Sequence, residues 1–213
     1  MQPVDIKELV SNLALPDSGP TPDAIEHHLQ EILRWNPRIG LVSKRDTLAV
    51  LERLVRQSVQ LHELVVPRTE AACGKELHVV DVGSGGGFPG LVWAAMEPDW
   101  RFLLVERRHK KGVFLERMVK VLGLEDVEVF VGRAEEAQLV SRFVERFDVA
   151  TAMAVGPPAK TAGLVEGFLR SGRVFATTVP RDEPGPPQSV GSRFTLLETD
   201  TYDETLFAIY QKR

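Results

Sequence analysis

Residues 79–90 read Val-Val-Asp-Val-Gly-Ser-Gly-Gly-Gly-Phe-Pro-Gly, with an acid at Asp81 and five glycines among the eight residues from Gly83 to Gly90. Glycines at this density let a backbone turn tightly and approach a ligand closely. Gly85, Gly87 and Gly90 fit the spacing G-x-G-x-x-G, and Glu106 follows about where an acid would meet ribose hydroxyls. Taken alone, that spacing suits a nicotinamide or flavin nucleotide. Asp81 argues otherwise, because a carboxylate beneath the loop repels a pyrophosphate seated on the next helix. S-adenosylmethionine instead carries an ammonium and a sulfonium near that position, and a carboxylate favours both. The residues therefore predict an S-adenosylmethionine site. Asp81 faces the cationic end, Gly83, Gly85 and Gly87 form the loop, and Glu106 accepts the ribose hydroxyls.

Other reactive side chains offer less. Cys73 in "EAACGKEL" precedes the glycine loop and reads as a buried or linker thiol rather than a nucleophile. His27, His28, His62, His78 and His109 show no metal-ligand spacing and read as surface or strand residues, so no metal is expected. Trp35 and Trp100 could stack a base, with core packing the plainer role for both. Phe88 is set apart by its place in the loop, where contact with an adenosyl group or a target base is expected. "VGPPAK" at 155–160 reads as a plain turn into a helix.

The elements that must carry these residues change character along the chain. Ile25, Leu29, Ile32 and Leu33 share a helical face after Thr21-Pro22, and Asn36-Pro37 is expected to end that helix. A second amphipathic helix is expected from about Thr47 to Val65. From residue 76, short β-rich runs alternate with helical ones: strands at 77–82, 102–106, 127–131, 147–151 and 173–178, and helices from Pro89 and over 110–122, 134–144 and 159–170. Such alternation implies right-handed crossovers and a doubly wound, mainly parallel α/β sheet. "RFTLLET" and "TLFAIYQK" then read as an antiparallel hairpin on the sheet edge, and 180–192 as a mobile loop. The domain reading is an N-terminal helical segment, residues 1–66, packed on a cofactor-binding domain, residues 67–213.

The longest apolar run, Leu91 to Met96, is far too short to cross a bilayer, and a cytoplasmic protein is expected. The net charge of −4 argues against indiscriminate nucleic-acid binding. It leaves room for local basic faces. Arg34, Arg38, Lys44, Arg45, Arg53 and Arg56 stand against only Asp46 and Glu52 in one stretch, and "RRHKK" covers Arg107 to Lys111.

"DVGSGGGFPG", "LLVERRHKKGVFLERMVKVLGLEDVEVFVGRAEE" and "FDVATAMAV" together closely resemble the bacterial glucose-inhibited division B family of 16S ribosomal RNA guanine-N7 methyltransferases. "WNPRIGLVSKRD" at 35–46 is similar to a further segment of that family. The resemblance covers roughly residues 25–155. It implies a seven-stranded sheet, S-adenosylmethionine as cofactor, and ribosomal RNA or the small ribosomal subunit as partner. It also implies cofactor contacts at Gly83, Phe88, Ala134 and Glu135. Arg38, Lys44, Arg45, Lys110 and Lys111 are the expected RNA-binding residues. Guanine N7 presents a lone pair and no proton, so its methylation requires alignment rather than a general base; no catalytic side chain is assigned.

The chain departs from the family pattern on the substrate side, which leaves open a methyltransferase of the same fold acting on a different RNA or a small molecule, or a cofactor-binding protein that has lost catalysis. Ala152-Met153-Ala154 stands where the family has Ser-Arg-Ala, Leu54-Val55-Arg56-Gln57-Ser58 where it has His-Phe-Leu-Asp-Ser, and "TTVP" where it has a lysine-glycine. Met153 is expected to border the cleft. Arg133 and Lys110 are the cations available to replace the lost arginine.

Overall fold

The computed structural model describes residues 6–13, 15, 21–73, 76–138 and 140–213. Most of the breaker-rich stretch Leu-Pro-Asp-Ser-Gly-Pro-Thr-Pro at 15–22, which the sequence suggests is a linker, lies outside them, as does the side chain of Cys73.

Three helices come first: α1 (Ile6–Ser11), α2 (Thr21–Ile39) and α3 (Thr47–Cys73). Ile25, Leu29 and Ile32 are buried along α2, and Leu51, Val55, Leu61 and Val65 along α3. Asn36-Pro37 does not end α2. The helix runs to Ile39 and stops where Gly40, at φ +64°, turns left-handed and donates its N–H to Asn36 O at 3.0 Å. Asn36 instead shapes the following loop, its Oδ1 accepting from Val42 N at 2.9 Å. Helix α3 passes the expected end near Val65, the domain boundary at residue 66 and Pro67 itself. Beyond the proline, Thr69 Oγ1 donates to the carbonyls of Val65 and Val66, one turn back along the continuing helix.

The remaining elements follow as β1 (His78–Val82), α4 (Gly90–Met96), β2 (Arg101–Glu106), α5 (His109–Val121), β3 (Val127–Val131) and α6 (Ala134–Ala137). Then come β4 (Phe147–Ala152), α7 (Pro158–Val165), β5 (Leu169–Val179), β6 (Ser189–Val190), β7 (Phe194–Tyr202) and β8 (Thr205–Lys212). The strands form one sheet in the order β3-β2-β1-β4-β5-β8-β7-β6, parallel from β3 to β5 and antiparallel beyond. This is the expected doubly wound sheet with its terminal hairpin, plus a two-residue eighth strand, β6. That strand lies within the stretch expected to be mobile. It is held by pairing with β7, burial of Val190 and donation of Tyr210 OH to Pro187 O at 3.2 Å.

Two expected helices are shorter. α6 ends at Ala137 because Gln138 bonds across to α7 and its exit, with Nε2 donating to Leu164 O at 2.8 Å and Oε1 accepting from Gly167 N at 3.1 Å. α7 ends at Val165, before Gly167, and β5 starts at Leu169.

Strand alternation divides the core. Val79, Phe102, Leu104, Val149 and Met153 face a cluster built with α1 to α5, while Val80, Val82, Leu103, Val105, Ala150 and Ala152 face one built with α6 and α7. The order reverses between β1 and β4, the position where open α/β sheets hold ligands outside the strands' carboxyl ends.

Candidate active site

A cleft of about 590 Å³ opens at that reversal. Gly83 and Gly85 form one wall, Glu106 closes the end of β2, and Ala134 and Glu135 contribute the start of α6. Gly83 has φ +80°, and a Cβ there would meet Val155 Cγ2 at 2.6 Å, so glycine is required on both backbone and packing grounds. Gly90 lets α4 lie on the sheet, since a Cβ would overlap Leu104 Cδ2 and sit 2.8 Å from Asp81 Oδ2.

Glu106 is 5% exposed, and its carboxylate organises the loop: Oε2 accepts from Gly85 N at 2.9 Å and Oε1 from Arg108 N at 2.7 Å. A carboxylate has about four acceptor positions. Two therefore remain for the hydroxyls of a ribose, and Glu106 lines the cleft where one would lie.

Asp81 is placed differently from the sequence expectation. It is 1% exposed and lies behind the cleft wall, paired in register with Leu104 and Thr151 on the face covered by α4. Oδ1 accepts from Thr151 Oγ1 at 2.7 Å and Oδ2 from Gly90 N at 3.3 Å. Burial pushes its carboxyl up to about 7, against the pull of hydrogen bonds from Thr151, Ser84 and Gly90. The side chain is thus spent on β4 and on the start of α4, and supports the loop from beneath.

Gly87 and Phe88 likewise sit behind the wall. Phe88 is 6% exposed, with its ring centroid 5.2 Å from that of His28. His28 was expected at the surface but is buried, with Nε2 2.7 Å from Gly86 O. Burial lowers its pKa to about 4, so the ring is neutral at pH 7, and the carbonyl partner requires that Nε2 carry the proton. His62 is buried too, stacked on Trp100 and 2.9 Å from Glu97 Oε1. Trp100 is therefore core.

The basic residues divide. Arg107, Arg108, Lys111 and Arg133 line the cleft. Lys111 Nζ donates to Leu41 O at 3.1 Å, and its half-burial lowers its pKa. Arg133 pairs with Glu135 at 3.1 Å, and Glu135 is held below its ordinary pKa by a hydrogen bond from its own backbone and by Arg133. Arg38, Lys44, Arg45 and Lys110 are exposed and lie outside the cleft. Met153 does not border it either. It is 7% exposed and faces the core shared with α1 to α5.

The far wall went unrecognised in the sequence. Ala154, Val155, Gly156 and Pro157, with Lys160 and Thr161 of α7, complete the cleft. Their signal was positional: they follow β4, the strand beside β1 across the reversal. Among the described residues, no group of three or more His, Cys, Asp or Glu side chains could hold a metal.

Residues 22–178 match the family model described as rRNA small subunit methyltransferase G. Proteins named ribosomal RNA small subunit methyltransferase G are similar to this chain in several organisms. That of Laribacter hongkongensis is 31% identical over 81% of this chain and 77% of its own. That of Roseiflexus sp. is 36% identical over 68% and 60%, and that of Caldanaerobacter subterraneus 34% over 71% and 61%. The chain thus spans about three-fifths of the latter two relatives. Among solved structures, a putative methyltransferase, yhhF, from Escherichia coli superposes with a TM-score of 0.60 at 15% identity, covering 74% of this chain and 86% of that one. A fibrillarin pre-rRNA processing protein from Methanococcus jannaschii gives 0.52 at 13%, covering 65% and 67%. The latter two likenesses establish the fold alone. A match over most of the chain, coinciding with the glycine loop, the acid ending β2 and the start of α6, makes this chain a member of the rRNA small subunit methyltransferase G family.

Proposed function

We propose that this protein transfers a methyl group from S-adenosylmethionine to N7 of a guanine in 16S ribosomal RNA, within the cytoplasm. The observation that carries the reading is Glu106, whose two oxygens fix the glycine loop and keep acceptor positions at the cleft. Gly83, Gly85, Ala134 and Glu135 would surround the cofactor, with Asp81, Gly87 and Phe88 holding the loop from behind. Arg107, Arg108, Lys111, Arg133 and Lys160 line the cleft and would be available to its carboxylate. When bound, S-adenosylmethionine supplies an electrophilic methyl group.

The rest falls to positioning. Guanine N7 attacks with its own lone pair, so the chain must orient the base and limit competing water. The wall from Ala154 to Pro157 supplies a compact apolar surface beside the glycine loop for this purpose. Arg107, Arg108, Lys111, Arg133 and Lys160 surround the cleft against Glu106 and Glu135. That local positive excess favours a polyanion in spite of the net charge of −4. The excess of cations among the charged residues lining the cleft favours RNA over a small neutral molecule.

The test is incubation of the protein with methyl-labelled S-adenosylmethionine and 16S rRNA or small subunits from cells lacking the activity. Borohydride and aniline cleavage then maps 7-methylguanine. Label at a single guanine is expected. Label confined to another base, or to small molecules only, would overturn the assignment.

A further inference from the structure

A second concavity lies beside the cleft, between α2 and α5. It encloses about 260 Å³ and is floored by Trp35, Ile39, Val113 and Phe114. Val113 is 46% exposed, unusual for an aliphatic side chain in the middle of a helix whose other face is core. Lys110, Arg117 and Arg38 make the rim basic. Lys110, Arg117 and His109 line it, and Arg38 stands at its edge. The guanidinium carbons of Arg38 and Arg117 are each 6.0 Å from the Trp35 ring centroid. The nearby carboxylate, Glu31, pairs with the rim's Arg117, accepting from its Nε at 3.2 Å, and also accepts from Trp35 Nε1 at 3.0 Å and Arg34 Nη1 at 3.2 Å, so Lys110 and Arg38 carry the rim's remaining positive charge. These bonds fix the indole edge-on to Glu31.

We propose that this groove receives a second, unstacked base of the RNA strand whose target guanine enters the cleft. The inference rests on the RNA reading above and adds where the strand goes next. An aromatic and aliphatic floor with guanidinium groups beside it suits the π-face of a base, and the surrounding cations suit its flanking phosphates. The groove and the cleft both reach the first turn of α5. His109 and Lys110 line the groove, and Lys111, the next residue on the same turn of α5, lines the cleft. A strand crossing that turn touches both. The contact is sequence-tolerant, because stacking uses a face every base has.

Val113→Glu tests this, since it puts a carboxylate on the floor at an exposed site and favours the helix. Binding of a single-stranded 16S rRNA fragment is measured for wild type, Val113→Glu and Val113→Leu, beside melting temperature and S-adenosylhomocysteine affinity. A matched fragment carrying abasic sites is the second probe. At least a tenfold loss of RNA affinity is expected for Val113→Glu, with melting temperature and S-adenosylhomocysteine affinity unchanged and Val113→Leu near wild type. The abasic fragment should bind wild type several-fold more weakly than the intact one and discriminate little between the variants. Equal RNA affinity for Val113→Glu and wild type would overturn the groove assignment while leaving the RNA reading in place. So would equal affinity of wild type for intact and abasic strands. If Val113→Glu instead abolishes a wild-type dimer and leaves RNA affinity intact, the groove belongs to a second copy of the chain. No measurable affinity of wild type for any RNA would remove both the groove assignment and the RNA reading.

Discussion

The imidazole of His28 donates Nε2–H to the carbonyl of Gly86 at 2.7 Å, tying the second helix of the N-terminal segment to the glycine loop. The loop is therefore held from outside the cofactor-binding half of the chain. His28→Leu strands a buried carbonyl, which costs about 1–3 kcal/mol. Its melting temperature and its S-adenosylhomocysteine affinity should both fall. His28→Gln can still donate and should recover part of both. Calorimetry on the pair distinguishes the hydrogen bond from ring volume.

The same histidine gives the acid limb of stability a definite sign. Its pKa is about 4 when folded, against 6.5 for the free side chain, so between these values the unfolded chain binds more protons. Its contribution is complete above pH 6.5 and is lost as pH falls toward 4. At about 1.4 kcal/mol per unit, the span is roughly 3 kcal/mol. Asp81 acts in the opposite sense. Its folded pKa of about 7 lies above the ordinary 3.8, so its contribution is complete below pH 3.8 and is lost as pH rises through 7. Denaturant melts from pH 4 to 8 should show Asp81→Asn steepening the rise of stability with pH and His28→Gln flattening it.

Glu106→Gln replaces one acceptor oxygen with a donor that must face Gly85 N or Arg108 N. S-adenosylhomocysteine binding should weaken by about 1–3 kcal/mol, the scale of a hydrogen bond to a charged group. Wild type should ignore NAD in the same calorimeter. Tight binding of NAD with none of S-adenosylmethionine would end the cofactor assignment.

RNA affinity should fall steeply with salt, because Arg107, Arg108 and Lys111 at the cleft and the exposed Arg38, Lys44 and Arg45 all carry charge available to phosphates. Arg108→Ala should lower the slope of log affinity against log salt by about one ion's worth. A slope unchanged in that variant would place the phosphates elsewhere.

Met153 was expected beside the cleft, where an arginine would gain affinity. Its burial just beyond β4, in the same core cluster as Val149, reverses that expectation. Met153→Arg puts an unpaired charge into the core and should destabilise the protein by about 3 kcal/mol or more. Thermal melts should show a large fall with no gain in S-adenosylhomocysteine affinity.

These positions also show what the sequence could and could not disclose. Gly83, Gly85 and Glu106 were legible because each answers a local demand: a left-handed turn, a close approach, an acid at a strand end. Asp81 was recognised as special, but its direction depends on Thr151 and Gly90, seventy and nine residues away. Strand parity placed Met153 on one of two faces, and only the covering helices make that face a core. In the sequence, Lys160 ends an unremarkable turn and Thr161 falls in the helix that follows it, while His28 sits in an ordinary amphipathic helix. Both matter through contacts made in the folded state, which residue types alone do not encode. The ends of α2 and α3 lie beyond where the sequence suggests, because Gly40 rather than Asn36-Pro37 terminates α2 and α3 continues through Pro67.

The order of strands has a consequence for how the molecule is made. β5 can pair on one side with β4 as soon as residue 179 is available, but its other edge is matched only by β8. Thirty-odd further residues must leave the ribosome first, and Lys212 is then buried, donating to Leu169 O at 2.6 Å and Glu166 O at 2.9 Å. During that interval a nascent chain exposes an apolar strand carrying Val174, Phe175 and Ala176 with an unpaired edge. Such an edge invites pairing with another chain. The finished sheet closes this opening, so the interval in which this edge can mispair lasts until β8 has emerged and docked.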